Sequence, residues 1–143
     1  MWREQEGEVP MIGQTISHYK ILEKLGEGGM GVVYKAQDLK LDRIVALKFL
    51  PAHAKVGASE QERFLQEAKT ASSINHPNVC IIHAVEEQEG QRFIVMEYVD
   101  GQPLSALIEK GPLPFKQAVD FAIQIAEALH DAHSKGIVHR DIK

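Results

Sequence analysis

Short apolar runs separated by polar turns dominate the first hundred residues of the chain. Five such runs, rich in Val, Ile, Leu, Phe and Tyr, cover residues 19–26, 30–38, 43–50, 79–88 and 92–99. Runs of this length, bounded by turn-forming residues and enriched in β-branched and aromatic side chains, are typical of antiparallel strands. The sequence therefore predicts a five-stranded antiparallel sheet.

One helix interrupts these strands and two more follow them. Between Ser59 and Pro77 apolar residues recur at helical spacing, which predicts a helix that ends before the proline. The pattern then predicts a short helix over 104–110 and a long one over 115–135, with Gly136 as its C-terminal cap. Strands with one helix, followed by helices, indicate an α+β fold.

The long helix is apolar on most of its circumference. Its five large apolar side chains do not fall on one stripe; they are Val119, Phe121, Ile123, Ile125 and Leu129. A helix that is hydrophobic all round belongs in a core, and burial of five such side chains contributes roughly 7–15 kcal/mol as an upper estimate. We therefore expect this helix to need more chain around it than these 143 residues supply.

Composition narrows the class of protein. The chain is 44% hydrophobic and 25% charged, as globular domains are, and its net charge of −4 predicts no nucleic-acid partner. No run reaches the ~18 apolar residues of a membrane span, so we expect no membrane segment here. The single cysteine, Cys80, excludes an internal disulfide and suits a reducing compartment; its apolar neighbours predict a buried thiol.

A glycine cluster joins the first two predicted strands. Gly26, Gly28, Gly31 and Val33 form the pattern G-x-G-x-x-G-x-V. Glycines allow backbone N–H groups to approach a polyphosphate closely, although this pattern alone is a weak signal. A dinucleotide site requires a helix after the glycines. Here a β-branched and aromatic run follows, which excludes a dinucleotide-dependent oxidoreductase.

Lys48 lies within the apolar run of the third predicted strand. Burying an ammonium group is unfavourable without a counter-charge, and Glu67 on the first predicted helix could supply one. A lysine held in this way could reach the phosphates of a nucleotide. The simpler alternative is an edge-strand lysine that points to water, as most lysines do.

The last residues complete a recognisable order of motifs. The chain ends on His139, Arg140, Asp141, Ile142 and Lys143, after the glycine cluster and the VALK sequence that contains Lys48. In this order the motifs are highly specific, and the chain resembles the N-terminal part of a eukaryotic-like Ser/Thr protein kinase of the bacterial type. The resemblance runs over about residues 19–143.

The resemblance implies an organisation of the chain. Residues 1–18 would be an N-terminal tail, 19–99 the ATP-binding N-terminal lobe with its five-stranded sheet and one helix, and 100–143 the start of the helical C-terminal lobe. The fold class it implies is α+β and protein-kinase-like.

It also implies a set of nucleotide-binding residues. The glycine hairpin would cover the phosphates, Val33 and Ala46 would pack on adenine, Lys48 would hold the α- and β-phosphates and pair with Glu67, and Met96 would be the gatekeeper. Adenine would be recognised through the main chain of Glu97 and Val99. The full implied set is Leu25, Gly26, Glu27, Gly28, Gly29, Met30, Gly31, Val33, Ala46, Lys48, Met96, Glu97 and Val99.

By the same resemblance the end of the chain carries catalytic residues. Asp141 would accept the proton of the substrate hydroxyl, and Lys143 would neutralise the γ-phosphate. Lys48 and Glu67, as the pair that holds the α- and β-phosphates, complete the implied catalytic set. The lysine two positions after the aspartate favours Ser/Thr over Tyr substrates, and Arg140 indicates control by phosphorylation. His139 would be a scaffold residue.

The family pattern continues with residues that this sequence does not contain. A catalytic-loop Asn and a DFG Asp, the ligands of Mg²⁺, would come after Lys143, so we assign no metal ligand to this chain and expect no kinase activity from it alone. His130 and His133 share a helix face but lack the partners of a metal site. The cofactors implied are ATP and Mg²⁺, the partners are proteins with Ser or Thr, and the location is cytoplasmic, with any membrane anchor downstream. The alternative is a non-catalytic kinase-like module that binds a partner or a nucleotide.

Overall fold

The computed structural model describes residues 12–28, 31–49 and 58–138; within them the side chains of 28, 58–61, 63, 64 and 67 are not described. In these ranges six strands and three helices follow each other along the chain. They are β1 (Thr15–Ile16), β2 (Tyr19–Gly28), β3 (Gly31–Asp38), β4 (Arg43–Phe49), α1 (Ala58–Ser72), β5 (Ile82–Gln88), β6 (Gln91–Glu97), α2 (Leu104–Ile108) and α3 (Phe115–Ser134).

The strands form one antiparallel sheet in the order β1-β2-β3-β4-β6-β5. The α+β prediction is confirmed, but the predicted number of five strands is wrong by one. The extra strand, β1, pairs Ile16 with Tyr19 across a tight turn and falls inside the predicted tail. Two residues are too few for an alternating pattern, which is why the sequence did not reveal this strand.

Hydrogen bonds outside the strand itself lengthen the pairing of β1. The N–H of Gly13 donates to the carbonyl of Ile21 at 2.9 Å, and the N–H of Ile21 donates to the carbonyl of Gln14 at 2.8 Å. The segment from Gly13 to Ile16 therefore runs along the outer edge of β2.

The hydrophobic core of the sheet lies on one of its faces and is built around four aromatic rings. Tyr19 and Phe93 meet edge to face at 6.0 Å between ring centroids, Phe93 stacks on Phe49 at 5.0 Å, and Phe49 meets Tyr34 edge to face at 5.8 Å. The rings come from β2, β6, β4 and β3, so they connect four strands. Such pairs add to the stability that apolar burial provides.

Tyr19 also has a polar contact. Its hydroxyl donates to Oε1 of Glu86 in β5 at 2.8 Å. Burial, together with this hydrogen bond to a carboxylate, raises the pKa of Tyr19 well above its usual value. The phenol is therefore neutral at physiological pH, and its hydroxyl connects β2 with β5, which are not neighbours in the sheet.

A buried carboxylate closes the turn between β3 and β4. Asp38 is 1% exposed, and its Oδ1 accepts hydrogen bonds from the N–H groups of Lys40 at 3.0 Å and Leu41 at 3.1 Å. His18 and Arg43 approach the carboxylate to 3.5 and 3.6 Å. Burial acts to raise the pKa of Asp38, but these donors and positive charges outweigh it and the pKa is lowered.

The chain divides into two compact units. The first comprises Met1–Ser72 and Ile81–Tyr98, which includes the sheet and α1, and the second comprises Ser73–Cys80 and Val99–Lys143, which includes α2 and α3. The predicted division at 18/19 and 99/100 into tail and lobes stays a prediction.

In the second unit the loop before β5 contacts α3. The Nδ2 group of Asn78 donates to the carbonyl of Gln124 at 3.1 Å, and the N–H of Asn78 donates to Nδ1 of His76. Cys80 ends this loop and is exposed, so the prediction of a buried thiol is wrong. The apolar neighbours of Cys80 belong partly to a loop, where apolar sequence does not ensure burial.

The long helix ends where the sequence predicts. The N–H of Gly136 donates to the carbonyl of His133 and that of Ile137 to the carbonyl of Ala132, both at 2.9 Å, and Gly136 has φ of +74°. This is a glycine-based C-terminal cap. Three of its apolar side chains are not buried by the described residues: Val119, Ile123 and Ile125 are 39%, 51% and 46% exposed.

Candidate functional site

The predicted glycine cluster lies in a hairpin between β2 and β3. The last register pair of the two strands is Gly28 with Gly31; Gly29 and Met30 between them lie outside the described residues. The strand–glycine–strand order that the sequence predicts is therefore present, and the strand–glycine–helix order of a dinucleotide site is not.

The backbone of this hairpin has the properties that a close phosphate contact requires. Gly31 has φ of +114°, a conformation that side chains other than glycine rarely adopt. At Gly26 a Cβ atom would meet nothing within 4 Å, so the backbone there is open to an approaching ligand. A break in the register between Lys24 and Gly26 bends the strand at the same point.

The polar residues of the hairpin lie at its surface. Lys24 and Glu27 form an exposed ion pair three residues apart, and Leu25 between them is 44% exposed. Exposed pairs of this kind contribute little to stability. Glu27 and Leu25 were assigned to the nucleotide site by resemblance alone, and that assignment stays a prediction.

The sheet register brings four predicted site residues onto one face. Val33 pairs with Lys48, and Ala46 pairs with Met96. Directly paired residues share a face and successive residues alternate, so these side chains lie opposite the aromatic core. Val33, Ala46, Lys48 and Met96 come from three adjacent strands and form a patch, which we call the site face.

Lys48 is half-buried on the site face. The simpler alternative, a lysine fully exposed at a sheet edge, does not describe it, since β4 lies between β3 and β6. Its proposed counter-charge, Glu67, belongs to α1, which packs against β5, but the side chain of Glu67 is not among those described. The Lys48–Glu67 ion pair stays a prediction.

The chain leaves the sheet directly after the site face. The N–H of Glu97 donates to the carbonyl of Ile81 at 2.8 Å, and the N–H of Ile81 donates to Oε2 of Glu97 at 3.2 Å. These two bonds fix the end of β6 to the start of β5. Val99, two residues later, is 66% exposed.

Two residues near the site face are absent from the sequence-based set. Lys35 pairs with Ala46, and its Nζ lies 4.6 Å from the centroid of the Tyr98 ring. Lys35 follows Val33 by two positions, so strand periodicity alone would have placed it on this face. Lys35 belongs to neither the glycine pattern nor the VALK sequence, so no motif identified it.

The predicted catalytic residues at the end of the chain lie outside the described residues. They are His139, Arg140, Asp141 and Lys143. Their assigned roles stay predictions.

The described ranges lack two further features. They contain no group of three or more His, Cys, Asp or Glu side chains that could hold a metal ion. Among those residues, no helix has the length and apolar character needed to cross a membrane.

The second unit contains an open cavity of about 540 Å³. It is lined by His76, Ile123, Ala126, Glu127, His130 and Asp131. A 2.9 Å hydrogen bond from Nζ of Lys135 lowers the pKa of the Asp131 carboxyl, so this group is ionised at neutral pH.

Comparison with known proteins gives the site a context. Residues 19–143 match the family described as protein kinase domain. The chain is 41% identical to the serine/threonine-protein kinase PknD of Mycobacterium tuberculosis over 136 residues, which cover 94% of this chain and 20% of PknD. It is 44% identical to the serine/threonine-protein kinase PrkC of Bacillus subtilis over 135 residues, which cover 93% of this chain and 21% of PrkC.

Solved structures show the same similarity. The crystal structure of the Mycobacterium tuberculosis PknI kinase domain matches with a TM-score of 0.81 at 30% identity, covering 94% of this chain and 56% of that one. The chain thus spans about one-fifth of the length of the curated relatives that it matches.

Proposed function

Because the chain belongs to the protein kinase domain family, we propose that its protein transfers the γ-phosphoryl group of ATP to Ser and Thr hydroxyls of other proteins. The observation that carries this proposal is the site face. Three strands place Lys48 beside Val33 and close to Ala46 and Met96, next to a glycine hairpin with an open backbone.

The residues present suit a nucleoside triphosphate. Backbone N–H groups at Gly26 and Gly31 can approach phosphate oxygens without interference from side chains, and the Lys48 ammonium supplies a positive charge on the adjacent strands. Bound ATP would supply the phosphoryl group that is transferred. Val33, Ala46 and Met96 offer the apolar contacts that a planar base requires.

The main chain after the site face would recognise the edge of the base. The bonds between Glu97 and Ile81 hold this segment at the end of β6. We assign the carbonyl of Glu97 and the main-chain groups of Val99 to adenine, following the resemblance.

The chemical step is assigned to the end of the chain. The oxygen of the substrate hydroxyl attacks the γ-phosphorus, the bond to the β-phosphate oxygen breaks and ADP leaves; Asp141 takes the hydroxyl proton and Lys143 faces the charge of the transferred group. Kinases use Mg²⁺ together with ATP. We assign none of the described residues to it, because the resemblance places its ligands, an Asn and an Asp, after Lys143.

Nucleotide binding tests the site face. We expect the chain to bind ATP in isothermal titration calorimetry, and Lys48→Met to weaken binding about tenfold or more, as loss of a charge-assisted contact to phosphate predicts. Lys20→Met is the matched control, since Lys20 is an exposed lysine on β2. Equal affinities for the two variants would contradict the assignment of Lys48.

Phosphoryl transfer tests the reaction. The protein that carries this chain should label Ser or Thr of a generic protein substrate from γ-labelled ATP, and Asp141→Asn should abolish the label. Nucleotide binding without any transfer by that protein would instead support the alternative, a kinase-like binding module.

The proposal also includes the partners and the location: proteins with Ser or Thr as substrates, and the cytoplasm. ATP and a single cysteine suit the reducing cytoplasm. Any membrane anchor would have to lie in other parts of the protein.

A further inference from the structure

Lys35 lies on the site face, although neither the glycine pattern nor the VALK sequence includes it. It pairs with Ala46, which pairs in turn with Met96. Lys35 therefore forms one row across β3, β4 and β6 with two residues assigned to the adenine-binding region.

The ammonium group of Lys35 joins two segments that the strand ladder does not join directly. Its Nζ lies 4.6 Å from the centroid of the Tyr98 ring and 3.6 Å from Oε1 of Glu23 in β2. A cation over an aromatic ring is attracted by the negative face of the ring. The neighbouring Tyr98 side chain and the charge of Glu23 raise the pKa of Lys35, so it stays charged at neutral pH.

Tyr98 lies where a contact with Lys35 can influence the main chain assigned to adenine. β6 ends at Glu97, so Tyr98 lies beyond the strand and between the two residues whose main chain is assigned to adenine. Its ring is half-buried, whereas Val99 is 66% exposed. The contact with Lys35 ties this segment to β3.

We propose that Lys35 is a positioning residue for the nucleotide: by holding the Tyr98 ring against β3, it fixes the main chain that meets the adenine base. This inference rests on the proposed function, because it assumes that adenine binds at residues 97–99. It assigns no contact between Lys35 and the phosphates.

Affinities for adenosine and ATP test the inference in the full 143-residue chain. Lys35→Met and Tyr98→Leu should each weaken both ligands about three- to tenfold, the range expected for loss of a partly desolvated cation–π contact. The double variant should bind no more weakly than either single variant, because both remove the same contact. Lys35→Arg, which keeps a cation over the ring, should stay within about twofold of the wild type.

Comparison with Lys48→Met separates positioning from phosphate binding. Lys48→Met should weaken ATP but leave adenosine unchanged, whereas the Lys35 and Tyr98 variants should weaken both. A variant at Lys35 that lowers only thermal stability, with adenosine affinity unchanged, would overturn the inference.

Two other results would also overturn it. Weaker binding by Lys35→Met without weaker binding by Tyr98→Leu would mean that Lys35 contacts the ligand itself. A wild-type chain that binds neither adenosine nor ATP would refute the proposed function and this inference together. Normal ATP binding by Lys35→Met, Tyr98→Leu and the double variant would refute this inference alone.

Discussion

Gly31 and Glu89 both have positive φ, at +114° and +53°, and both lie in hairpins of the sheet. Position 31 is occupied by glycine, the residue that adopts positive φ most easily. At Glu89, followed by Gly90 with φ of +76°, a glutamate occupies the first central position of a two-residue turn. Positive φ at both central residues defines a type I′ turn, where Asn or Gly is favoured. Substitution of Gly31 should therefore destabilise the chain, whereas a residue that adopts positive φ more easily than glutamate should stabilise it at position 89.

Alanine substitution should have different effects at Gly31 and at Gly26 of the glycine hairpin. Gly31→Ala should lower the free energy of unfolding by about 1–3 kcal/mol, because alanine is strained at that φ. Gly26→Ala should change it by less than about 0.5 kcal/mol, since its Cβ meets no atom, yet weaken ATP binding by obstructing the backbone. Urea denaturation and calorimetry measure the two effects. An unstable Gly26→Ala variant would show that this backbone is not open as described.

Glu89→Asn should stabilise the chain. Asparagine adopts the left-handed conformation more easily than glutamate, so we expect a gain of about 0.5–1 kcal/mol in the free energy of unfolding. Glu89→Ala, which has no such preference, is the control and should give no gain. A gain of equal size from both would point to loss of the glutamate charge as the cause.

At the level of elements, the turn between β3 and β4 depends on one carboxylate. Asp38 satisfies two backbone N–H groups of the turn and lies near two positively charged or ionisable side chains. It ends β3 at the point where β2 begins opposite it, since Asp38 pairs with Tyr19. One buried acid thus connects β2, β3 and β4 at the end of the sheet remote from the glycine hairpin.

The acid stability of the chain should reflect Asp38. Its pKa is lowered in the folded state, so its contribution is present above the unfolded pKa of about 3.9 and is lost as pH falls through the folded pKa. Asp38→Asn should cost about 1–2 kcal/mol at pH 7 and progressively less as pH falls through the folded pKa of Asp38. Denaturation at several pH values measures this. A loss of stability of the same size at pH 7 and at low pH would contradict this assignment.

At the level of the molecule, exposed apolar surface concentrates on α3. Phe115, Val119 and Ile123 are spaced four residues apart, so they share one face of the helix, and Phe115 is 85% exposed. Contiguous exposed patches of this kind are uncommon on soluble proteins. This face of α3 is therefore accessible to apolar probes.

The fluorescence of an apolar dye such as 8-anilinonaphthalene-1-sulfonate should report this face. The folded chain should bind the dye, and Phe115→Gln with Ile123→Gln should remove most of the signal. Leu41→Gln, which changes a 65% exposed leucine in the first unit, is the control and should remove little. A signal that persists in the double variant would place the main dye-binding surface elsewhere.

The sequence predicted what depends on local periodicity and could not predict what depends on distant partners. The five longer strands follow from alternating or continuous apolar runs, and the face shared by Val33, Ala46, Lys48 and Met96 follows once their register is known. β1 carries too little pattern to be seen. Burial of α3 and of Cys80 depends on what packs against them, which no local pattern specifies. The roles of Glu67 and Asp141 stay predictions.

The short strand β1 has a practical consequence for handling the protein. It covers the start of β2, an edge that would otherwise present unpaired N–H and C=O groups. A chain trimmed to the residues that match the family, 19–143, would lose this cover entirely. In such a shortened chain, β2 could pair with strands of other molecules. Expression boundaries placed upstream of Gly13 should therefore give a protein that aggregates less on storage.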